Sequence, residues 1–260
     1  AIKYKCKRTK ELKKQYDKGA ADFHQIVADM ANISRMQAKT INLGLFYGMG
    51  KNKLQNELGL KPEQANKLFE DYHKKVPFVK EISEKFMKFS TKEKLIYTLE
   101  DRFCRFDRYE TTAKRWDRAK KVWEEWDREA GKHVPVKLLT KYEAEAEAAK
   151  KFNETQNKKW EELTKNQQEE EFVEYFVPAF TYKTLNRMVQ GSAADMTKKA
   201  MVLLFEEGII PHIQIHDELC FSIETEEQAK KIKHIMENAI KLEVPNKVDY
   251  ESGINWGTIK

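Results

Sequence analysis

Arg35, Lys39, Leu43 and Tyr47 stand at a strict interval of four in the segment RMQAKTINLGLFYG, which closes on Gly48. Four residues turn through about 400° of an α-helix, so residues four apart stand nearly above one another. The row makes one helix face with two cations at one end, an apolar middle and a phenol near the exit; Gly48 and Gly50 supply the stop. Two cations one turn apart repel by roughly a few tenths of a kcal/mol. A polyphosphate relieves that repulsion: Arg35 can grip it with a fork of donors, and Lys39 can act as a point charge or give a proton to a leaving phosphate. His24, in ADFHQIVAD, adds a third donor. Ile41, Leu43, Leu45, Phe46 and Tyr47 would form an apolar platform beside the cations, which suits a nucleoside triphosphate. The plainer alternative is an amphipathic helix with a solvated basic side.

A second group sits in IPHIQIHDELCFSI, where apolar alternation brackets His216, Asp217 and Glu218. Adjacent carboxylates are costly to hold together unless a cation or solvent screens them. Strand neighbours point to opposite faces, so one carboxylate would ligate a metal and the other support it. A Mg²⁺ site commonly takes one or two protein carboxylates plus phosphates and water. Taken alone, this triplet is a weak signal and reads better as a polar turn.

The elements that must position these groups follow from periodicity. Residues 9–31 have helical character broken near Gly19, and the cationic helix comes next. NKLQNELGL is another helix. KPEQANKLFEDYHKKVP is a helix with Pro62 in its first turn and Pro77 as its stop, and Leu68, Phe69 and Tyr72 on its core side; residues 78–91 continue helical. Alternation of Leu95, Tyr97 and Leu99 in KLIYTLEDRFCRF predicts a strand or hairpin. SAADMTKKAMVLLFEEG reads as an amphipathic helix with Ser192 as N-cap and Gly208 as stop. A β-hairpin with His216, Asp217 and Glu218 at its tip follows, then a helix over 226–242 and a short strand near VDYESGINW. The class is α+β, mostly helical, with helices on one face of an antiparallel sheet.

Between these parts, residues 107–172 shift to Lys, Glu, Ala and Trp. Tyr109, Ala113, Trp116, Trp123, Trp126 and Ala130 fall on one helical stripe, and Leu139, Tyr142, Ala146 and Ala149 on another. This predicts a helical hairpin, either a solvated insertion or a docking surface for another chain, since exposed Trp is costly to leave uncovered.

The 260 residues are 40% hydrophobic and 35% charged with a net charge of +6, enough for a core beneath a highly charged surface. The basic excess permits nucleic acid without demanding it. Cys6, Cys104 and Cys220 are far apart and lack CxxC spacing, which excludes a disulfide framework or a zinc site and fits reduced cytosolic thiols. No run of about 18 apolar residues predicts a membrane span. The basic start AIKYKCKRTKELKK has no apolar stretch behind it and is not a secretory signal.

RMQAKTINLGLFYGMG resembles motif B of the family A DNA polymerases, the bacterial DNA polymerase I and phage type, and IQIHDEL resembles their motif C. NRMVQGSAADMTKKAMVLLF is similar to the family's Q-G-[ST]-A-A-D helix, and DFHQIVADM to its D-x-H-x-x-x-A segment. The likeness covers roughly residues 12–106 and 176–260. It implies the fingers and the C-terminal part of the palm of a right-hand polymerase: residues 1–16 as a palm-to-fingers lead-in, 17–180 as fingers with the insertion at 107–172, and 181–260 as C-terminal palm. By this resemblance Arg35 and His24 bind the outer phosphates of a dNTP, and Lys39 binds the inner phosphates and protonates pyrophosphate. Leu43 packs near sugar and base, and Tyr47 stacks at the templating position. Asp217 is a catalytic metal ligand with Glu218 as its helper, and the completed site holds two Mg²⁺ ions. Gln190, Asn186 and Gln214 contact the minor groove of primer–template, where shared acceptors allow pair shape to be checked without reading sequence; His216 lies near the primer end.

Three departures qualify the likeness. The family's motif A, D-Y-S-x-x-E-x-R, with the other catalytic Asp, has no match in residues 1–21. Two-metal phosphoryl transfer needs carboxylates on both sides of the ion pair, so the expectation is one subunit of a split polymerase, as some phages encode, inactive alone. A second polypeptide then supplies motif A and the thumb, with Phe180 and the Trp-bearing hairpin as candidate docking surfaces and a processivity or replisome protein as a further candidate partner. A proteolytic or cloned fragment is the alternative origin. Leu43 stands where relatives have Phe or Tyr, which implies discrimination against dideoxynucleotides. TLEDRFCRF stands where relatives have a Gly followed by several Arg. The expected location is cytoplasmic, in a host cytoplasm if phage-encoded. The rival function is a catalytically silent DNA-binding replication module; a metal-dependent hydrolase built on the His216 triplet lacks the further ligands it would need.

Overall fold

The computed structural model describes residues 6–7, 9–17, 24–25, 28–29, 33–117, 119–120, 122–128 and 130–258. In chain order its elements are α1 (Thr9–Asp17), α2 (Arg35–Phe46), α3 (Lys51–Leu58), α4 (Pro62–Lys75), α5 (Pro77–Glu93), β1 (Leu95–Tyr97), β2 (Phe103–Arg105), β3 (Tyr109–Thr111), β4 (Lys114–Asp117), β5 (Val122–Asp127), β6 (Lys132–Pro135), α6 (Lys141–Thr155), α7 (Lys165–Tyr175), β7 (Phe176–Pro178), α8 (Thr184–Glu206), β8 (Ile213–Ile215), β9 (Glu218–Cys220) and α9 (Glu226–Asn238). The chain is α+β and mostly helical. It divides into two units, Ala1–Lys85 with Tyr97–Arg102 and Leu185–Lys260, and Phe86–Ile96 with Phe103–Thr184.

In the first unit, α2 buries Ala38, Ile41 and Leu45 with Leu54, Leu68, Tyr72, Val76 and Val79. Spacings of three and four put these α2 residues on one helix face. Ile41 and Leu45 therefore belong to the core and not to the predicted apolar platform. The helix stops where Gly48 takes φ +87, a left-handed turn that favours glycine, and Met49 N–H returns to the Gly44 carbonyl at 2.8 Å. Pro62 opens α4, and Pro77 both follows its end and opens α5. The predicted break near Gly19 lies outside the described residues.

Helix α8 begins at Thr184, eight residues before the predicted N-cap. Ser192 is interior, and its Oγ accepts from Leu99 N–H at 3.1 Å. Arg102 Nε donates to Asp195 Oδ1 at 2.8 Å and its Nη2 to the Gly191 carbonyl at 3.0 Å. A Cβ at Gly191 would come within 2.8 Å of Thr98 Cγ2, so this close approach needs glycine. Asp101 takes φ +57, a conformation Asp tolerates better than most residues. The predicted stop at Gly208 is present, with φ +74. β8 and β9 pair antiparallel as predicted, Ile213 opposite Cys220 and Ile215 opposite Glu218. α9 ends at Asn238, short of 242, and VDYESGINW forms no strand; only a 3₁₀ turn at Trp256–Thr258 follows. A strand needs a hydrogen-bonded neighbour, and none lies beside this segment among the described residues.

The second unit corrects the helical-hairpin prediction. Residues 109–135 form strands: β3 pairs with β7, and β4, β5 and β6 make an antiparallel sheet with Trp116 opposite Trp123 and Trp126 opposite His133. The rings of Trp116 and Trp123 meet edge-on at 5.4 Å, a cross-strand pair. The second arm is helical, but its buried stripe is Ala144, Ala148 and Phe152, while Tyr142 is exposed. Thr140 caps α6 by accepting from Glu143 N–H at 3.3 Å, and Glu143 returns the bond to Thr140 N–H at 2.7 Å.

Candidate functional site

Because α2 commits one face to the core, the opposite face carries Arg35, Lys39 and Leu43 into solvent. The Lys39 ammonium has no hydrogen-bond or ion-pair partner among the described residues. Tyr47 follows one turn beyond Leu43, its N–H bonded to the Leu43 carbonyl at 3.0 Å. Its hydroxyl accepts from Gln190 Nε2 of α8 at 2.8 Å, which brings two predicted site residues together. Asn186 lies one turn before Gln190 on the same helix.

His24 is tied to α2 through a residue that motif spacing did not single out. Asn42 Nδ2 lies 3.1 Å from His24 Nδ1, and Tyr72 Oη donates to Asn42 Oδ1 at 3.0 Å. Burial pushes the Tyr72 phenol well above its ordinary pKa, so it remains a donor. The legible signal was a carboxamide on the buried side of α2, a position that requires hydrogen-bond partners.

At the hairpin tip, His216 takes φ +52, as the first central residue of a two-residue primed turn requires. Gln214 Nε2 donates to the His216 carbonyl at 2.8 Å and braces this turn, so its amide serves its own hairpin. The side chains of Asp217 and Glu218 are exposed and have no partner among the described residues. Among the described residues no hydrogen bond or ion pair joins them to the α2 face. Arg102 and Asp195 were given no role by motif reading; they fasten the Tyr97–Arg102 segment to α8 on the side next to Gln190.

The fold resembles part of a DNA polymerase I polymerase domain. The structure of the POL domain of Pol1 from M. smegmatis in complex with DNA primer-template and dNTP aligns with a TM-score of 0.56 at 18% identity, over 91% of this chain and 34% of that one. Residues 6–258 match the sequence profile of DNA polymerase family A, and the chain belongs to that family. It is 29% identical over 270 residues to a DNA-directed DNA polymerase of Pseudomonas phage M6, covering 91% of this chain and 31% of that protein. It is 25% identical over 244 residues to DNA polymerase I of Bacillus subtilis, covering 90% and 21%. The chain thus spans a third or less of the length of these curated relatives.

Family A polymerases use Mg²⁺. Among the described residues no cluster of three or more His, Cys, Asp or Glu is placed to hold a metal. Asp217 and Glu218 fit a shared Mg²⁺ site in donor chemistry, because that ion takes few protein carboxylates and completes its shell with phosphate and water. No described helix is long and apolar enough to cross a membrane.

Proposed function

We propose that these residues form the dNTP-binding fingers face and one catalytic carboxylate of a DNA-directed DNA polymerase, in which nucleotide is transferred from dNTP to a primer 3′ end. The observation that carries this reading is the outer face of α2: Arg35 and Lys39 solvent-exposed, Leu43 44% exposed beyond them, and Tyr47 bonded to Gln190 at the exit. Arg35 and His24 take the outer phosphates and Lys39 the inner ones, where its ammonium can protonate departing pyrophosphate. Leu43 lies along the sugar and base. Asn186 and Gln190 follow the primer–template minor groove, with His216 near the primer end. Asp217, supported by Glu218, would hold Mg²⁺, which supplies charge stabilisation to the transferring phosphoryl group. Residues 17–180 serve as fingers and 181–260 as the C-terminal part of the palm, with a second polypeptide supplying motif A and the thumb. The β8–β9 hairpin supports this reading: among the described residues it is a two-stranded sheet with Ile213 and Ile215 at 42% and 36% exposure, marginal without further strands or a helix packed on it.

Labelled-dNTP titration in the presence of primer–template tests the reading. Binding should weaken at least tenfold in Lys39→Ala, and unchanged dNTP affinity there would favour the silent DNA-binding module. Leu43→Tyr, which adds a hydroxyl beside the sugar, should narrow discrimination between dideoxy and deoxy substrates by roughly tenfold, about one hydrogen bond.

A further inference from the structure

Among the described residues of β4, β5 and β6 only Glu124 is buried, while Trp116 and Trp123 are each 47% exposed and Trp126 is 55% exposed. Strand neighbours alternate between faces, so Trp123, Glu125 and Asp127 share one face with the residues opposite them, Trp116, Lys114 and Lys132. On that face Lys114 Nζ lies 5.0 Å from the centre of the Trp123 ring. Residues 114–137 hold eight Lys and Arg against five Asp and Glu. Every described carboxylate among them already accepts from a donor of the same segment: Asp117 from Ala119 N–H, Glu124 from Lys120 Nζ, Glu125 from Lys137 N–H at 3.1 Å and Asp127 from Ala130 N–H at 2.9 Å. Lys132 and Lys137 are exposed, and their ammonium groups have no partner among the described residues.

We propose that this face binds single-stranded DNA, with bases stacked on Trp116 and Trp123 and backbone phosphates met by Lys132 on the same face and Lys137 just past β6. One ligand satisfies open indoles and surplus ammonium groups together if it alternates flat rings with negative charge, as a nucleic acid strand does. In a duplex the base faces are already stacked on one another, so the strand must be unpaired. That the strand is a template ahead of synthesis rests on the polymerase reading above; its binding to the sheet does not.

Anisotropy of a labelled oligothymidylate, titrated with the 260-residue chain without dNTP or Mg²⁺, tests the proposal. Trp116→Ala and Trp123→Ala should each weaken binding roughly tenfold, whereas Trp116→Phe keeps a ring and most of the affinity. Lys132→Ala, which removes an exposed and unpartnered side chain, should lower the slope of log affinity against log salt by about 0.7, one phosphate contact on a single strand. Unchanged affinity in both Trp→Ala variants overturns the proposal and leaves the face to a protein partner. A second readout needs no variant: photo-cross-linking of a 5-iodouracil oligonucleotide to the wild-type chain should place adducts on Trp116 or Trp123, and adducts confined to residues 1–85 or 185–260 overturn the assignment. Lys39→Ala should leave oligothymidylate binding intact, so failure of the dNTP reading and failure of this one are told apart. In the completed polymerase, Trp116→Ala should weaken binding of a primer–template with a long unpaired overhang more than one with a short overhang, and equal weakening overturns the template role.

Discussion

The outer face of α2 and the β4–β5–β6 sheet both hold charges and large side chains at the surface, but they dispose of them differently. In the sheet the described carboxylates are consumed internally. Glu124, 1% exposed, takes Lys120 at 2.7 Å and Arg115 at 3.5 Å, and Lys114 pairs with Glu110 at 2.5 Å while lying over the Trp123 ring. On α2 the Lys39 ammonium has no partner among the described residues, although Ala38, Ile41 and Leu45 behind it are packed into the core. The hairpin tip behaves like α2, with two exposed carboxylates that have no partner among the described residues. A charge neutralised within the fold builds the fold. A charge left open on a rigid element is available to a ligand.

The sharpest way to break this contrast is Asp217→Asn. In the completed polymerase, primer extension should fall by roughly 10³-fold, the rate equivalent of about 4 kcal/mol of lost transition-state stabilisation. Lys39→Ala should lower kcat/KM by roughly 10²-fold, the low end for a general acid. Glu124→Ala should do the reverse: it should destabilise the sheet by about 1–2 kcal/mol in urea unfolding while leaving extension per folded molecule unchanged. That figure is reduced from the usual cost of breaking a buried pair because Lys120 and Arg115 are 63% and 58% exposed. A large loss of extension in Glu124→Ala would place the sheet in the site and erase the distinction.

The smallest effect concerns His73, packed edge-on against Phe69 and Tyr72. Burial first, and then Lys80, hold its pKa below the ordinary 6.5, against a weaker opposing pull from Glu84. The unfolded chain takes up the proton first, so this contribution is present above about pH 6.5 and declines below it, until the folded ring protonates as well. Tm should drop by no more than a few degrees between about pH 7.5 and pH 5.5, and by less in His73→Phe.

The same contrast explains what could be read from the residues. On α2, a four-residue interval closing on Gly48 predicted the helix, its stop and its exposed row, because helix geometry alone decides which side chains share a face. The buried side was misjudged for Ile41 and Leu45, which the packing of α3 and α4 claims. In the insertion, Tyr109, Trp116, Trp123 and Ala130 recur every seven residues and imitate a helix repeat. The turn from β4 to β5 carries no Gly, Pro or Asn to announce it. Its signal was Asp117, whose Oδ1 accepts from Ala119 N–H at 2.8 Å and Lys120 N–H at 3.0 Å, a side-chain mimic of a backbone turn. The hairpin at 213–220 was legible from alternation around a polar tip, whereas the hydrogen bond from Gln190 to Tyr47 joins residues 143 apart in sequence, a pairing that local periodicity does not encode.

Primer extension with Mg²⁺ and dNTPs tests the central claim most directly: that these residues supply the nucleotide-binding face and one carboxylate, and that protein outside them supplies motif A. The account predicts no extension by the 260 residues alone and extension once a polypeptide carrying D-Y-S-x-x-E-x-R is added. Extension by these residues alone would contradict it by placing the second carboxylate among them, and failure of the reconstituted pair would leave the silent DNA-binding module as the reading.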